Sequence, residues 1–319
     1  MLKVVIVGYG EMFTNLIAGA LDAKCNIVGV LTRETVRLNP LLKWFKDLIA
    51  PSIEHSYIKS YNLYEIKAKG VNTKEFRAEL LSLNPDLILV GSWGEKFEKA
   101  TYSIPKTATI NAHPSLLPKY RGPNPYFWVI KNQEKESGVT FHLIDEGFDT
   151  GAILAQEIIK ISKNETGKSL KEKIVLKARG VLCGLLENLA EDIIIPLQQR
   201  EEVSSYYSHP DDLELDFKKS AEENFALIRA AYPWREAYFY HNITAIVPNH
   251  NFVRILENKS EYNVSGTIVD VDSQKRKISV LCGDNNILEM EQLKLYKKID
   301  RPFTKNYILR DIKMGDVID

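Results

Sequence analysis

Residues 111–125 read Asn-Ala-His-Pro-Ser-Leu-Leu-Pro-Lys-Tyr-Arg-Gly-Pro-Asn-Pro. Four prolines and one glycine exclude a regular helix or strand from this segment. It follows a β-rich run at residues 107–111, so it lies where a strand of an open α/β sheet would end, the edge at which such sheets bind ligands. Asn111 and His113 point to the same side of an extended chain. One can polarise a carbonyl oxygen while the other moves a proton, and we predict that the segment forms an active-site wall.

The chain upstream of this segment predicts a parallel sheet. Residues 3–7 form an apolar run that ends in Gly8-Tyr9-Gly10, which is typical of a buried strand turning into a helix. A dinucleotide fingerprint would need a third glycine where Phe13 stands, so a nicotinamide cofactor is not expected. Further strands are expected at residues 26–32 and 86–90. The catalytic part of the chain is therefore predicted to be α/β and Rossmann-like.

A second polar group follows a strand predicted at residues 138–144. The turn at residues 145–151 holds three acidic side chains and two glycines. A carboxylate from Asp149 near His113 would orient the imidazole and raise its pKa, although an Asx-type turn residue fits the same spacing. His142 lies mid-strand among apolar neighbours and is interpreted as a core histidine rather than a catalytic one.

Composition sets limits on the function. The 319 residues include 42 basic and 42 acidic side chains, and this balance argues against a general nucleic-acid binder. No apolar run approaches the length of a membrane span, and the three cysteines have no metal-ligand spacing. We expect a cytoplasmic protein. Cations and aromatic residues alternate between Arg33 and Tyr64, and they fit either a substrate-contacting loop or a helix with a solvated basic face.

The periodicity changes near residue 200. A long amphipathic helix is predicted at residues 169–192, followed by a polar linker at 198–212. Several short β-runs come after it, joined by Gly, Asn and Asp turns, and they predict a β-barrel of the oligonucleotide-binding (OB) type. We place the domains at residues 1–204 and 205–319. The smaller domain has 16 basic and 18 acidic residues, so it is not basic overall.

The motif Asn111-x-His113-Pro-Ser-Leu-Leu-Pro-x-Tyr-Arg-Gly122, with Asp149 in Phe-Asp-Thr-Gly, closely resembles the folate-dependent formyltransferases. The segment at residues 216–223 and the β-run to Leu295 resemble the carboxyl-terminal domain of the methionyl-tRNA formyltransferases within that family. The resemblance covers almost the whole chain. It implies a catalytic formyltransferase domain followed by an OB-like domain.

The resemblance also implies residue roles. Asn111 would hold the developing oxyanion, His113 would stabilise it and handle the proton, and Asp149 would pair with His113. The implied donor is 10-formyltetrahydrofolate, with no metal. Its implied contacts are Leu89, Gly91, Ser92, Ser115, Leu116, Leu117, Pro118, Ile144, Asp145 and Phe148. The implied contacts of the acceptor are Arg33, Arg37, Arg121 and Gly122.

The implied acceptor is the amino group of methionyl initiator tRNA, or else an amino sugar attached to a nucleotide. Three departures from the bacterial tRNA enzymes keep the second acceptor open: the first turn, the stretch after Thr32, and the lack of a basic small domain. The cations that a tRNA would use are Arg33, Arg37, Lys43 and Lys46, together with Lys275, Arg276 and Lys277. No DNA or membrane partner is expected, and a folate sensor without activity is the non-enzymatic alternative.

Overall fold

A computed structural model describes residues 1–33, 52–296, 309 and 311–318. Arg37, Lys43 and Lys46 lie outside the described residues. The chain divides into two compact units. The first comprises Met1–Pro125, Glu136–Lys160 and Lys171–Ser208, and the second comprises Tyr126–Lys135, Ile161–Leu170 and His209–Asp319.

Helices and strands alternate over the first 190 residues. In chain order they are β1 (Lys3–Gly8), α1 (Gly10–Asp22), β2 (Asn26–Thr32), α2 (Ile53–Ser60), α3 (Lys74–Leu83), β3 (Leu87–Gly91), α4 (Lys99–Tyr102), β4 (Ala108–His113), α5 (Pro125–Lys131), β5 (Glu136–Leu143), β6 (Ile153–Lys160) and α6 (Gly167–Ala190). The six strands form one sheet in the order β2-β1-β3-β4-β5-β6. The first four are parallel, and β5 and β6 are added in antiparallel pairs. The predicted α/β class is confirmed.

The centre of this sheet carries the site. Strands β1 and β3 are buried along almost their whole length, as parallel strands covered on both faces must be. Helix α3 packs Phe76 and Leu80 into a cluster with Ile88 and Val90 of β3. Gly91 ends β3 and pairs with Ala112 of β4, so both strands end at the same edge. The predicted active-site segment begins at that edge.

A carboxylate of the protein itself binds at the first βα turn. The backbone N–H of Gly10, at the start of α1, donates to Glu54 Oε1 at 2.6 Å. Glu54 is buried, so the protein's own carboxylate occupies the position at which a helix N-terminus attracts anions. Phe13, which replaces the third glycine of the fingerprint, is fully buried beneath it.

The second unit is rich in β-strands. Its elements after residue 208 are α7 (Ala221–Ala231), β7 (Phe239–His241), β8 (Thr244–Val247), a 3₁₀ turn (His250–Phe252), β9 (Val253–Glu257), β10 (Ile268–Asp272), β11 (Lys277–Leu281), β12 (Asn286–Met290) and β13 (Lys294–Leu295). The described strands form a four-stranded sheet, β10-β11-β12-β9, and a three-stranded sheet, β13-β8-β7. A closed barrel is not formed among these strands, so the OB-like barrel stays a prediction.

The predicted linker differs from the structure in its first half. Residues 199–207 belong to the first unit, and a 3₁₀ turn lies at Glu201–Val203. Ser205 and Tyr207 exchange backbone hydrogen bonds with Arg121, at 2.9 and 3.0 Å, and the Ser205 hydroxyl accepts from the Tyr120 N–H at 2.9 Å. The polar composition that suggested a linker instead satisfies the backbone groups of the proline-rich segment. The boundary between residues 204 and 205 falls in this bonded stretch and stays a prediction.

We expect limited proteolysis to cut at residues 209–212, because residues 199–207 are protected by their backbone hydrogen bonds. The two fragments should stay associated, since the second unit takes in residues 126–135 and 161–170. There, Arg229 donates to the Glu165 carbonyl at 2.7 Å and Trp234 stacks on Tyr126 at 5.8 Å. Size-exclusion chromatography of the nicked protein tests this. Separate elution of a fragment that ends near residue 208 would contradict the discontinuous unit.

Candidate active site

Strands β4 and β5 place three polar side chains side by side. Asn111 lies opposite His142 in the antiparallel register, and His113 lies opposite Thr140. The Asn111 Nδ2 atom is 3.1 Å from His142 Nε2. Alternation along β4 keeps Asn111 and His113 on one side, as the sequence predicted. These side chains form the centre of the candidate site.

The loop after β5 brings Asp149 to the same place. Asp145 accepts hydrogen bonds from the Gly147 N–H (2.9 Å) and the Thr150 hydroxyl (2.6 Å), which closes a tight turn. Asp149 has φ +56°, a left-handed backbone that non-glycine residues seldom adopt. Its Oδ1 accepts from Asn111 Nδ2 at 3.3 Å, and its Oδ2 accepts from the Gly122 N–H at 2.9 Å. The turn therefore aims the carboxylate at β4.

Asp149 also faces two imidazoles. Its Oδ2 is 3.5 Å from His113 Nδ1, and its Oδ1 is 3.5 Å from His142 Nε2. Burial by itself would raise the pKa of Asp149, but His113, His142 and the Gly122 N–H together hold that pKa well below its ordinary value. The carboxylate is therefore ionised at neutral pH.

His113 is the more enclosed of these groups. Its side chain is 5% exposed, and its Nε2 donates to the Tyr120 carbonyl at 2.8 Å. Burial lowers the pKa of His113, and the attraction of Asp149 offsets this only in part. The sequence predicted a raised pKa, and that prediction is wrong because desolvation outweighs the neighbouring charge.

An open cleft lies over this cluster. Asn111, His142 and Asp149 line it, together with the predicted donor contacts Ile144, Asp145 and Phe148. Val90, Trp93, Lys96 and Phe97 also line the cleft, and the sequence did not predict them as site residues. Phe148 is half exposed, and the Lys96 ammonium lies 5.3 Å from its ring centre. Within the described ranges, no group of three His, Cys, Asp or Glu side chains could hold a metal ion.

Comparisons with known proteins agree with this geometry. Residues 2–184 match the Formyl transferase family, and residues 208–302 match its C-terminal domain. The chain belongs to the formyl transferase family. It is therefore an enzyme that transfers formyl groups.

Several similar proteins match over more than nine-tenths of their own length. The methionyl-tRNA formyltransferase of Clostridioides difficile is 32% identical over 93% of both chains, and that of Alkaliphilus oremlandii is 30% identical over 100% of this chain and 98% of its own. Among solved structures, an N-formyltransferase from Helicobacter canadensis, in complex with folinic acid and dTDP-3-aminofucose, has a TM-score of 0.66 at 20% identity. It covers 93% of this chain and 100% of its own, and this likeness concerns the fold alone.

In this formyltransferase, strand β3 presents its backbone to the cleft more than its side chains. A Cβ on Gly91 would meet Met12 and Leu16 of α1, so that face of β3 packs on the helix. Leu89 is two residues earlier on the same face and is buried, whereas Val90 points to the cleft. Ser92 is exposed, with φ +58°. Of the predicted donor contacts on this strand, neither Leu89 nor Gly91 lines the cleft with a side chain.

The predicted donor contacts at Ser115, Leu116, Leu117 and Pro118 form the wall behind His113. The buried Ser115 hydroxyl donates to the Lys119 carbonyl at 2.9 Å, and the Leu117 N–H donates to Thr140 Oγ1 at 3.2 Å. The Leu117–Pro118 bond is cis. Among the described residues that line the cleft, none comes from this group of four. Their contacts position β4 and β5.

Among the predicted acceptor contacts, Arg121 already binds other side chains of the protein. Its guanidinium is buried and bonds Glu201 through two nitrogens, at 2.9 and 2.7 Å, and Gln199 at 2.9 Å. Gln199 in turn donates to the carbonyls of Asp149 (2.8 Å) and Gly151 (2.7 Å). Sequence reasoning missed Gln199, because it lay in the predicted linker. Arg33 is exposed and lies 5.7 Å from the Trp93 ring centre.

Gly122 is a position where only glycine fits. Its φ is +91°, and a Cβ there would lie 2.4 Å from the Tyr207 carbonyl oxygen. We expect Gly122→Ala to lower the free energy of unfolding by about 1–3 kcal/mol, and to slow catalysis by moving the N–H that binds Asp149. Gly180→Ala is the matched control. Its site in α6 is open space, so it should stabilise by up to about 1 kcal/mol. Equal effects of the two variants in chemical denaturation would contradict this assignment.

The lowered pKa of His113 predicts a pH dependence of stability. Below its ordinary pKa of 6.5 the unfolded chain binds this proton more readily than the folded one. The free energy of unfolding should therefore fall as pH drops below 6.5, by about 1.4 kcal/mol for each unit by which the folded pKa is lowered. Loss of the Asp149 contribution needs a pH below 3.8, so Asp149 does not contribute to the fall in stability between pH 6.5 and 3.8. His113→Gln should flatten the first window in denaturant titrations, and an unchanged slope would count against a neutral His113.

Proposed function

We propose that this enzyme transfers the formyl group of 10-formyltetrahydrofolate to the amino group of methionyl initiator tRNA. The observation that carries the proposal is the match to methionyl-tRNA formyltransferases at 30–32% identity over 93–100% of the chain. The match extends through the C-terminal domain, which a bare catalytic domain would lack. An OB-like closure of that domain, the division at residues 204/205 and a cytoplasmic location belong to the same proposal.

The chemistry needs what the cluster around Asp149 provides. Attack of an amine on the formyl carbon creates a tetrahedral centre whose oxygen becomes negative, and a fixed donor such as Asn111 stabilises that charge. The attacking nitrogen must also lose a proton to a neighbouring base. Asp149 is ionised and within 3.5 Å of His113, so this pair would orient the reacting groups and hold the positive charge that develops.

A folate donor fits the lining of the cleft. Its flat pterin ring presents hydrogen-bonding edges, which the backbone at Val90–Ser92 and at Ile144–Phe148 would meet. Phe148 and Lys96 at the mouth would contact the aromatic and anionic parts that follow the ring. Backbone recognition also accounts for donor contacts such as Gly91, whose neighbours leave no room for a side chain.

An amino sugar on a nucleotide is the second candidate. Lys277, one of the cations that a tRNA would use, bridges Asp270 at 2.8 Å and Glu289 at 3.3 Å and so adds little positive field. Arg121 is similarly engaged by Glu201. A nucleotide-linked sugar needs one pocket and no long basic surface.

An acceptor panel tests the proposal. The protein is incubated with 10-formyltetrahydrofolate and either methionyl initiator tRNA or a set of amino-sugar nucleotides, and formylated product is measured. We expect product on the tRNA, and a rate about 10²–10⁴-fold lower for Asp149→Asn. Product on a sugar alone would replace the first acceptor by the second. If the protein binds the donor but transfers formyl to no acceptor, the remaining alternative is a folate sensor without activity.

Salt dependence separates the two acceptors further. If tRNA is the acceptor, Arg33→Gln with Lys275→Gln should weaken turnover and reduce the slope of log kcat/KM against log salt by about 1 for each phosphate that is no longer neutralised. Lys106→Gln is the matched control, because Lys106 is already paired with Asp86 at 3.1 Å. A slope near zero for the unmodified enzyme would point away from tRNA.

A further inference from the structure

His142 has a fixed tautomer when it is neutral. Its Nδ1 lies 2.8 Å from the Leu143 carbonyl oxygen, which can only accept a hydrogen bond. Nδ1 therefore carries the hydrogen, and the neutral ring presents a bare Nε2 to the cleft. That Nε2 atom is 3.1 Å from Asn111 Nδ2 and accepts one of its hydrogens.

This arrangement uses both hydrogens of the Asn111 amide. The second one goes to Asp149 Oδ1 at 3.3 Å. The opposite amide orientation would set the Asn111 oxygen against an ionised carboxylate, so the amide cannot relieve the arrangement by flipping. As long as His142 is neutral, Asn111 has no free N–H for a developing oxyanion.

His113 faces the other carboxylate oxygen of Asp149, and its own hydrogen bond fixes the opposite tautomer. Its Nε2 donates to the Tyr120 carbonyl, which leaves Nδ1 bare and facing Asp149 Oδ2. His113 does not line the cleft, whereas His142 does. A proton that leaves a substrate in the cleft therefore meets His142 before it meets His113.

We infer that His142 accepts the proton of the attacking amine and that this protonation frees Asn111 to stabilise the oxyanion. Protonated Nε2 no longer accepts from Asn111, and its new N–H has Asp149 Oδ1 as a charged acceptor 3.5 Å away. One Asn111 N–H is then released toward the cleft as the negative oxygen forms. Proton removal and oxyanion stabilisation are thereby coupled through a single side chain.

This inference rests on the proposed function, and the atoms and electrons of the step balance. The amine nitrogen bonds to the formyl carbon, the carbonyl π pair moves to oxygen, and one N–H proton passes to His142 Nε2. The oxygen pair then re-forms the carbonyl and the bond to the donor nitrogen breaks. That nitrogen takes the proton from His142, which restores the neutral ring. No oxidant, reductant or metal is needed.

The charged groups around His142 favour this role. Asp149 is the nearest, and the His113 ring lies 6.3 Å away between centres. Asp145, Glu95 and Lys96 line the same cleft. Carboxylates outnumber cations among these neighbours, so a transient imidazolium is stabilised.

Histidine tautomers can be measured in the unmodified protein, whatever its acceptor is. Nitrogen-15 NMR of histidine-labelled protein, assigned with His142→Asn and His113→Gln, should show His142 as the Nδ1–H tautomer and His113 as the Nε2–H tautomer. An Nε2–H tautomer for neutral His142 would overturn the inference. A protein that transfers no formyl group would refute the proposed function and leave these signals readable.

Two variants separate proton transfer from simple hydrogen bonding. His142→Asn keeps a donor for the Leu143 carbonyl, and His142→Gln keeps an acceptor for Asn111, but neither can take a proton. Both should lower kcat by about 10²–10⁴-fold. Adding Asn111→Ala to His142→Gln should slow the enzyme little further, because the two residues act as a unit. Wild-type kcat in His142→Gln would overturn the inference.

Discussion

The structure depends on the burial of one ionised carboxylate. The Asp149 side chain is only 15% exposed, and a charge so placed is tolerated when polar groups and hydrogen-bond donors surround it. Its partners come from separate parts of the chain: Asn111 and His113 from β4, His142 from β5, and the Gly122 N–H from the proline-rich segment. Each partner fixes one of these segments relative to the others.

The backbone around the Asp149 carboxylate is held in conformations that are rare in an unconstrained chain. Asp149 and Gly122 both have positive φ, and Gln199 binds the carbonyls on either side of Thr150. Strained residues persist when neighbouring contacts over-determine them. Arg121 provides such contacts, because it joins the proline-rich segment to Gln199 and Glu201. A loop anchored in this way keeps its hydrogen-bond donors in position when substrates bind and leave.

Local sequence patterns could predict part of this site. Strand periodicity and the run of prolines pointed to Asn111 and His113, and the acidic turn after the next predicted strand pointed to their partner Asp149. The same local pattern predicted His142 to be a core histidine, and the ring is buried, but the pattern could not distinguish a ring that only packs in the core from one that also faces Asn111 across β4 and β5. That distinction lies in the register of two strands 31 residues apart. Gln199 was missed for a similar reason, since its contacts with Arg121 span 78 residues.

The chemistry and the choice of acceptor are separate properties of this enzyme. Every described contact of the Asp149 carboxylate lies within the first compact unit, and in the proposed roles each would act on atoms that any primary amine shares. Formyl transfer to a tRNA and to an amino sugar would pass through the same tetrahedral centre, so Asn111, His113 and Asp149 cannot discriminate between them. Discrimination must come from side chains that contact the rest of the acceptor, where a polyanion and a single nucleotide differ in charge and size. The resemblance therefore specifies the reaction more firmly than it specifies the substrate.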